Sequence, residues 1–331
     1  MTEQFLEHTG AKLPLICGAM YPCSNNELVA SVVENGAVAI VQPLSTVFAH
    51  RENLRESLRM LRKRCNGGAL GFNALVEQSS RVYENRMRKW VDVALEEGVR
   101  FFITALGNPS WVVEKVHAVD GVVYHDVTSR KWALKGLEAG VDGLICVNGR
   151  AGGHAGDKPM EVLYDELADL DVPLVAAGGV GTPEDYRSAL ELGYQAVQFG
   201  TRFIASDECT AHEDYKQAIV DAQEDDIVLT ERISGVPVSV IRTEYVEKVG
   251  TKAGPIARRL LQHPRFKHWI RAWYSARSLF NLARGMKRSG GYNDYWQAGR
   301  SVAGIDRVES VETIIEHYAE ALEGQGEAES A

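Results

Sequence analysis

The feature that most constrains this chain is a run of eight short apolar segments, each followed by a stretch of helical pattern, all before residue 225 of 331. The apolar segments cover 13–20, 37–43, 69–75, 101–106, 121–127, 143–149, 173–179 and 196–201. Nearly all are continuously apolar rather than alternating, which is the pattern of strands covered on both faces in a parallel sheet. The stretches between them carry helix start and stop signals. In NNELVASVVENG, Leu28, Val29, Val32 and Val33 share one face and the pattern stops at Gly36. TPEDYRSALELG opens with Thr182 as N-cap and Pro183 at the first helical position, and closes on Gly193. Eight strand–helix units at spacings of about 20 to 33 residues predict a closed (β/α)8 TIM barrel of the α/β class rather than a doubly wound sheet.

Beyond Ala222 the pattern changes. Residues 231–291 carry no strong strand signal and hold many basic and aromatic residues, among them Arg258, Arg259, Arg265, Lys267, Trp269, Arg271, Trp273 and Tyr274. The expected division is a barrel on 1–225 and 292–322, a helical C-terminal appendage or lid on 226–291, and a disordered tail on 323–331. A final amphipathic helix over 308–322 is expected to pack back on the barrel. The basic and aromatic residues from Arg258 to Arg288 read either as a docking surface for a carrier protein or phosphate handle, or as a solvated helical face. GYNDYWQAGRSVAG returns to the barrel, with Tyr292, Tyr295 and Trp296 as candidate pocket walls.

Composition excludes several classes. Hydrophobic residues at 45% and charged residues at 24% are the values of an ordinary folded chain. A net charge of -9 lacks the basic surface that nucleic acid requires. The five cysteines are scattered without CxxC spacing, so no disulfide framework and no metal site is expected, and a reducing compartment fits. No apolar run reaches the roughly 18 residues of a membrane span, and the expected location is cytoplasmic.

In such a barrel the site lies at the carboxyl ends of the strands, so the residues closing each apolar run carry the chemistry. Strand one ends in Gly18, Ala19 and Met20, strand three in Asn73, strand four in Thr104, and strand five in His125 and Asp126. Strands seven and eight end in Gly178-Gly179 and Gly200-Thr201, the place where barrels commonly bind phosphate through backbone N–H groups. The loop NGRAGGHAGDKP after strand six wraps four glycines around His154. That loop can lie closely on a flat ligand while presenting one imidazole able to take a proton from a carbon acid.

The runs GAM (18–20), GFNAL (71–75), GRAGGHAG (149–156), LVAAGGV (174–180) and QFGTRFIASDECTAH (198–212) resemble the nitronate monooxygenase family, and the blocks are shared with flavin-dependent enoyl-acyl-carrier-protein reductases and some NADH:quinone reductases. The resemblance implies FMN across the barrel mouth, with NADH or NADPH as an optional electron donor. Gly18, Ala19 and Met20 would line the isoalloxazine, Asn73 would bond the ring or ribityl edge, and Gly152-Gly153 would press backbone against it. The phosphate would rest on Ala177, Gly178, Gly179, Gly200 and Thr201. Asp126 stands where certain members place a lysine near the flavin; it either faces the cofactor or caps a neighbouring loop, with His125 as an alternative source of positive character.

The implied reaction is oxidation of alkyl nitronates or nitroalkanes by O2 to a carbonyl compound and nitrite, with His154 as base. The alternative is an NAD(P)H-dependent reductase of enoyl thioesters or quinones, and a third reading is a non-catalytic flavin-binding protein. Expected partners are a small-molecule substrate and O2, without nucleic acid or membrane, and a homodimer is allowed.

Overall fold

The computed structural model describes residues 2–77, 81–232, 237–252 and 295–323. Eight parallel strands close into a barrel: β1 (Leu15–Cys17), β2 (Val38–Val41), β3 (Leu70–Leu75), β4 (Phe101–Ala105), β5 (Val122–Val127), β6 (Gly143–Val147), β7 (Leu174–Ala177) and β8 (Ala196–Phe199). Closure is parallel, with Leu15 opposite Val197 and Cys17 opposite Phe199. The intervening helices are α2 (Asn26–Glu34), α3 (Leu54–Arg64), α4 (Arg81–Glu96), α5 (Ser110–His117), α6 (Arg130–Glu138), α7 (Met160–Leu167) and α8 (Pro183–Leu192), preceded by α1 (Glu3–Thr9). The TIM barrel expected from the eight apolar runs is the fold observed.

Two cores follow from the period of two along each strand. Ile16, Ile40, Phe101, Ile103, Tyr124, Ile145, Val175 and Ala196 fill the lumen, while Cys17, Phe72, Phe102, Val123, Leu144, Ala176 and Val197 face the helices. Helix α1 closes the amino end of the lumen: Phe5 is fully buried edge-on to Tyr124, and its N–H donates to Gln195 Oε1 at 3.1 Å.

The helix signals hold in detail. Thr182 caps α8, its hydroxyl accepting from Asp185 N at 3.1 Å while Asp185 accepts from Thr182 N at 3.0 Å. This reciprocal cap satisfies donors that the first turn would leave orphaned. Thr182→Ala should cost about 1 kcal/mol in chemical denaturation, whereas an unchanged midpoint would show the cap to be redundant.

Past the barrel, α9 (Thr201–Ile204) and α10 (Glu213–Asp221) precede an element that the sequence reading missed. Residues 226–291 read as helical, yet β9 (Ile227–Thr230) pairs antiparallel with β10 (Val238–Ile241), and only then does α11 (Glu244–Val249) follow. The β-branched residues of IVLT and VSVI favour this pairing, and Val238 and Val240 are buried in a small core of their own with Val246. The rest of the expected appendage, including the basic and aromatic residues from Arg258 to Arg288, lies outside the described residues. The final helix, α12 (Val311–Glu323), packs on the barrel as expected: Tyr318 meets Phe199 in a tilted contact at 4.6 Å between centroids and donates its hydroxyl to Gly181 O at 2.9 Å.

Candidate active site

At the carboxyl ends of the strands lies a cavity of about 1450 Å³. Its walls include Gly18, Ala19, Met20, Asn73, Asp126, Gly152, Gly153, His154, Ala177, Gly178, Gly179, Gly200 and Thr201. The fold therefore gathers His154 and the residues expected to hold a cofactor around one space, while Thr104, at the end of β4, does not line it.

His154 rides on a loop fixed at both ends. Asn148, fully buried, donates its side-chain amide to Gly178 O at 2.7 Å and accepts from Arg150 N at 2.8 Å, while Gly156 N donates to Asn148 O at 3.1 Å. Arg150 makes a two-pronged ion pair with Glu224, both bonds at 2.9 Å, and Arg300 joins the same carboxylate at 3.1 Å. The imidazole is thus exposed to the cavity on an anchored support. Surrounding protein mass lowers its pKa from the usual histidine value, opposed by the charge of Glu77. The result favours a neutral ring, which can accept a proton.

The glycines have local duties that the sequence could not show. A Cβ on Gly152 would meet Gly299 N at 2.8 Å, and one on Gly299 would meet Gly152 N at 2.7 Å, so each needs the other to lack a side chain. The side of Gly152 on which a Cβ would stand thus meets the returning segment, while the residue also lines the cavity. The Gly153 carbonyl accepts from Ser239 N at 2.8 Å, tying the loop to β10. Gly178 and Gly179 adopt φ of 110° and 79°, and a Cβ on Gly178 would strike Ala151 N at 2.5 Å. Gly200 differs: an added Cβ would find nothing nearer than Met20 Sδ at 3.7 Å, leaving its backbone open. Thr201 is buried, and its hydroxyl oxygen accepts from Gly299 N at 2.9 Å, which leaves its proton to donate elsewhere.

Strand parity separates the neighbours His125 and Asp126. Val122 and Tyr124 belong to the lumen, so Asp126 faces inward, while Val123 and Val127 face the helices together with His125. His125 Nδ1 lies 2.8 Å from the hydroxyl of Thr104, and burial depresses its pKa to about 4. It is therefore neutral and turned away from the lumen, which overturns its reading as a source of positive character. Asp126 is half-buried at the cavity wall, its Oδ1 finds no hydrogen-bond partner, and desolvation pushes its pKa up to about 7.

Several wall residues escaped the sequence reading. Gln198 lies two positions before Gly200 on the lumen-facing parity of β8, with its side chain against Gly18. Gln42 also lines the cavity and accepts from Leu44 N at 2.9 Å. A polar residue in phase with apolar lumen positions was the available signal for both. From the returning segment, Gln297 and Ser301 reach the cavity rather than the aromatics. Trp296 instead stacks on Tyr215 at 5.7 Å, Tyr295 packs edge-on to Tyr245, and Tyr292 lies outside the described residues.

Comparison with known proteins agrees with this geometry. The sequence profile described as "Nitronate monooxygenase" matches residues 3–320. Among curated proteins, the chain is 31% identical over 183 residues to the (3aS,4S,5R,7aS)-5-hydroxy-7a-methyl-1-oxo-octahydro-1H-indene-4-carboxyl-CoA dehydrogenase of Mycobacterium tuberculosis, covering 54% of this chain and 52% of that protein. It is 31% identical over 172 residues to a probable nitronate monooxygenase of Staphylococcus saprophyticus, covering 48% of each. The chain spans about half the length of these two curated relatives. Among solved structures, FabK from Thermotoga maritima superposes with a TM-score of 0.78 at 26% identity, covering 98% of this chain and 97% of that one. The nitroalkane oxidase of Streptomyces ansochromogenes, at 20% identity and a TM-score of 0.76, covers 97% of this chain and 99% of its own and shares the fold. Profile, barrel and cavity agree: the chain belongs to the nitronate monooxygenase family.

Proposed function

We propose that this chain binds FMN across the barrel mouth and oxidises alkyl nitronates or nitroalkanes with O2 to a carbonyl compound and nitrite. The observation that carries this reading is the neutral, cavity-exposed imidazole of His154 on its anchored glycine loop. The residues present fit FMN. The open backbone at Gly200, the free hydroxyl proton of Thr201 and the turn Ala177-Gly178-Gly179 suit a phosphate, and Gly18, Ala19, Met20 and Asn73 offer a flat wall and an amide for the ring.

FMN, when bound, supplies the electron acceptor that no side chain can replace. His154 takes the proton from the carbon bearing the nitro group, or orients a nitronate already ionised. The inward carboxyl of Asp126 contributes a hydrogen-bond donor while protonated. Gln198 and Asn73 add neutral polar groups to the wall. Mixing the flavin-loaded protein with a nitronate in the absence of oxygen should bleach the flavin absorbance. No bleaching by several nitronates would defeat the proposal.

A second reading, an NADH- or NADPH-dependent reductase of enoyl thioesters or quinones, is favoured by the size of the cavity, which exceeds what a flavin ring and a small nitronate fill. Rapid bleaching by NADH or NADPH, with none by nitronates, selects it. Under either reading, Thr201→Val removes one donor to the phosphate and the acceptor of Gly299 N–H, and FMN affinity should fall about tenfold. Fluorescence titration of apo-protein with FMN measures this, and an unchanged affinity would place the phosphate elsewhere.

A further inference from the structure

The cavity is not confined to the lumen. His125 and Asp126, adjacent on β5 and facing opposite ways, both line it, so the space passes over the end of that strand and continues on the outer side of the barrel. There it runs along α6, whose Trp132 and Lys135 share one helix face, continued by the C-cap Ala139 with Glu138 beside it. The opposite wall is the loop Leu106, Gly107, Asn108 leading to Ser110 at the start of α5.

This branch is unusual in composition. Trp132 is 47% exposed, with Lys131 Nζ at 5.3 Å and Lys135 Nζ at 4.9 Å from its ring centroid. Arg130 on the same helix is occupied by Asp169 at 2.5 Å, whereas neither lysine makes an ion pair among the described residues. Leu106, 52% exposed, is held in the left-handed region at φ 66°, a conformation that costs a non-glycine residue free energy. An exposed indole, the Lys135 ammonium in the wall with that of Lys131 beside it, both over the indole and without an ion pair among the described residues, an apolar rim, and an amide, a hydroxyl and a carboxylate are more than a nitronate needs.

We infer that this branch is a binding subsite for the adenosine phosphate end of a long ligand whose other end enters the lumen. The indole and Leu106 offer a flat apolar bed for the base, Lys131 and Lys135 offer charge-assisted bonds to phosphate, and Glu138 can accept from ribose hydroxyls. Nicotinamide dinucleotides and coenzyme A thioesters share this chemistry. The inference rests on the oxidoreductase reading of the lumen, and it holds whichever of the two proposed reactions takes place there.

Calorimetric titration of the flavin-loaded protein with ADP tests it. ADP should bind in a salt-sensitive manner, and binding should weaken at least tenfold in both Trp132→Ala and the double variant Lys131→Glu/Lys135→Glu, while anaerobic bleaching by dithionite stays unchanged. Displacement of ADP by NADH, by NADPH or by acetyl-coenzyme A then identifies the source. Absence of ADP binding at millimolar concentration, or equal binding by wild type and both variants, overturns the subsite. ADP binding without any bleaching by nitronates leaves the subsite standing and removes only the nitronate reaction.

Discussion

Replacing His154 with alanine should lower turnover of neutral nitroalkanes by roughly 10²- to 10⁴-fold, the range set by losing a positioned general base. Nitronates, already deprotonated at carbon, should lose less, because for them the imidazole only orients. The physical basis is the lowered pKa of His154, which leaves the ring unprotonated at neutral pH. In the wild-type protein kcat/KM for a nitroalkane should therefore rise with pH through a value below 6.5 and then stay flat through neutrality, and in His154→Ala this limb should vanish. Flavin content must be measured alongside, since Gly152 and Gly153 adjoin the substituted position. A variant that retains its flavin and turns over nitroalkanes within threefold of wild type would exclude His154 as the base.

The second large effect concerns Asp126. Its carboxyl has a pKa near 7 in the folded protein against 3.8 for an ordinary aspartate, with desolvation as the cause. Folding thus favours the protonated form. Stability is unaffected below about pH 4, where both states carry the proton, falls as pH rises from about 4 to 7, and is lowest above pH 7. The shift corresponds to a ceiling of about 4 kcal/mol. Half-burial at the cavity wall lets solvent screen part of this, and about 2 kcal/mol is the expected size.

Asp126→Asn should accordingly stabilise the apo-protein by about that amount at pH 8 and by nothing at pH 3.5. His125, with its pKa depressed to about 4, acts with the opposite sign: its contribution is present above about pH 6.5 and lost as pH falls toward 4. The difference between variant and wild type across pH, taken from chemical denaturation, isolates Asp126 because His125 is common to both. Parallel curves at every pH would mean that Asp126 is ionised in the folded state.

The barrel was legible because its signals are local. Strands β2, β6 and β7 are apolar throughout, and the caps at Thr182 and Gly193 are written in adjacent residues. Strand one was read too long, over 13–20, because its apolarity continues past Cys17 into residues that line the cavity instead of pairing. The hairpin of β9 and β10 was missed because each strand is four residues long and part of what packs on it, Tyr295, comes from a distant stretch of the chain.

For the site, the sequence by itself determined which residues could stand at the barrel mouth, since strand ends and glycine turns are properties of neighbouring residues. Only the tertiary structure decided what those residues face. In β5 the polar residues His125 and Asp126 are adjacent, so no alternation reveals which of them faces inward, and the inward turn of Asp126 and the outward turn of His125 emerge only from the closed register. The need for glycine at 152 comes from Gly299, a residue distant in sequence that packing brings to its backbone, and no local pattern records such a contact.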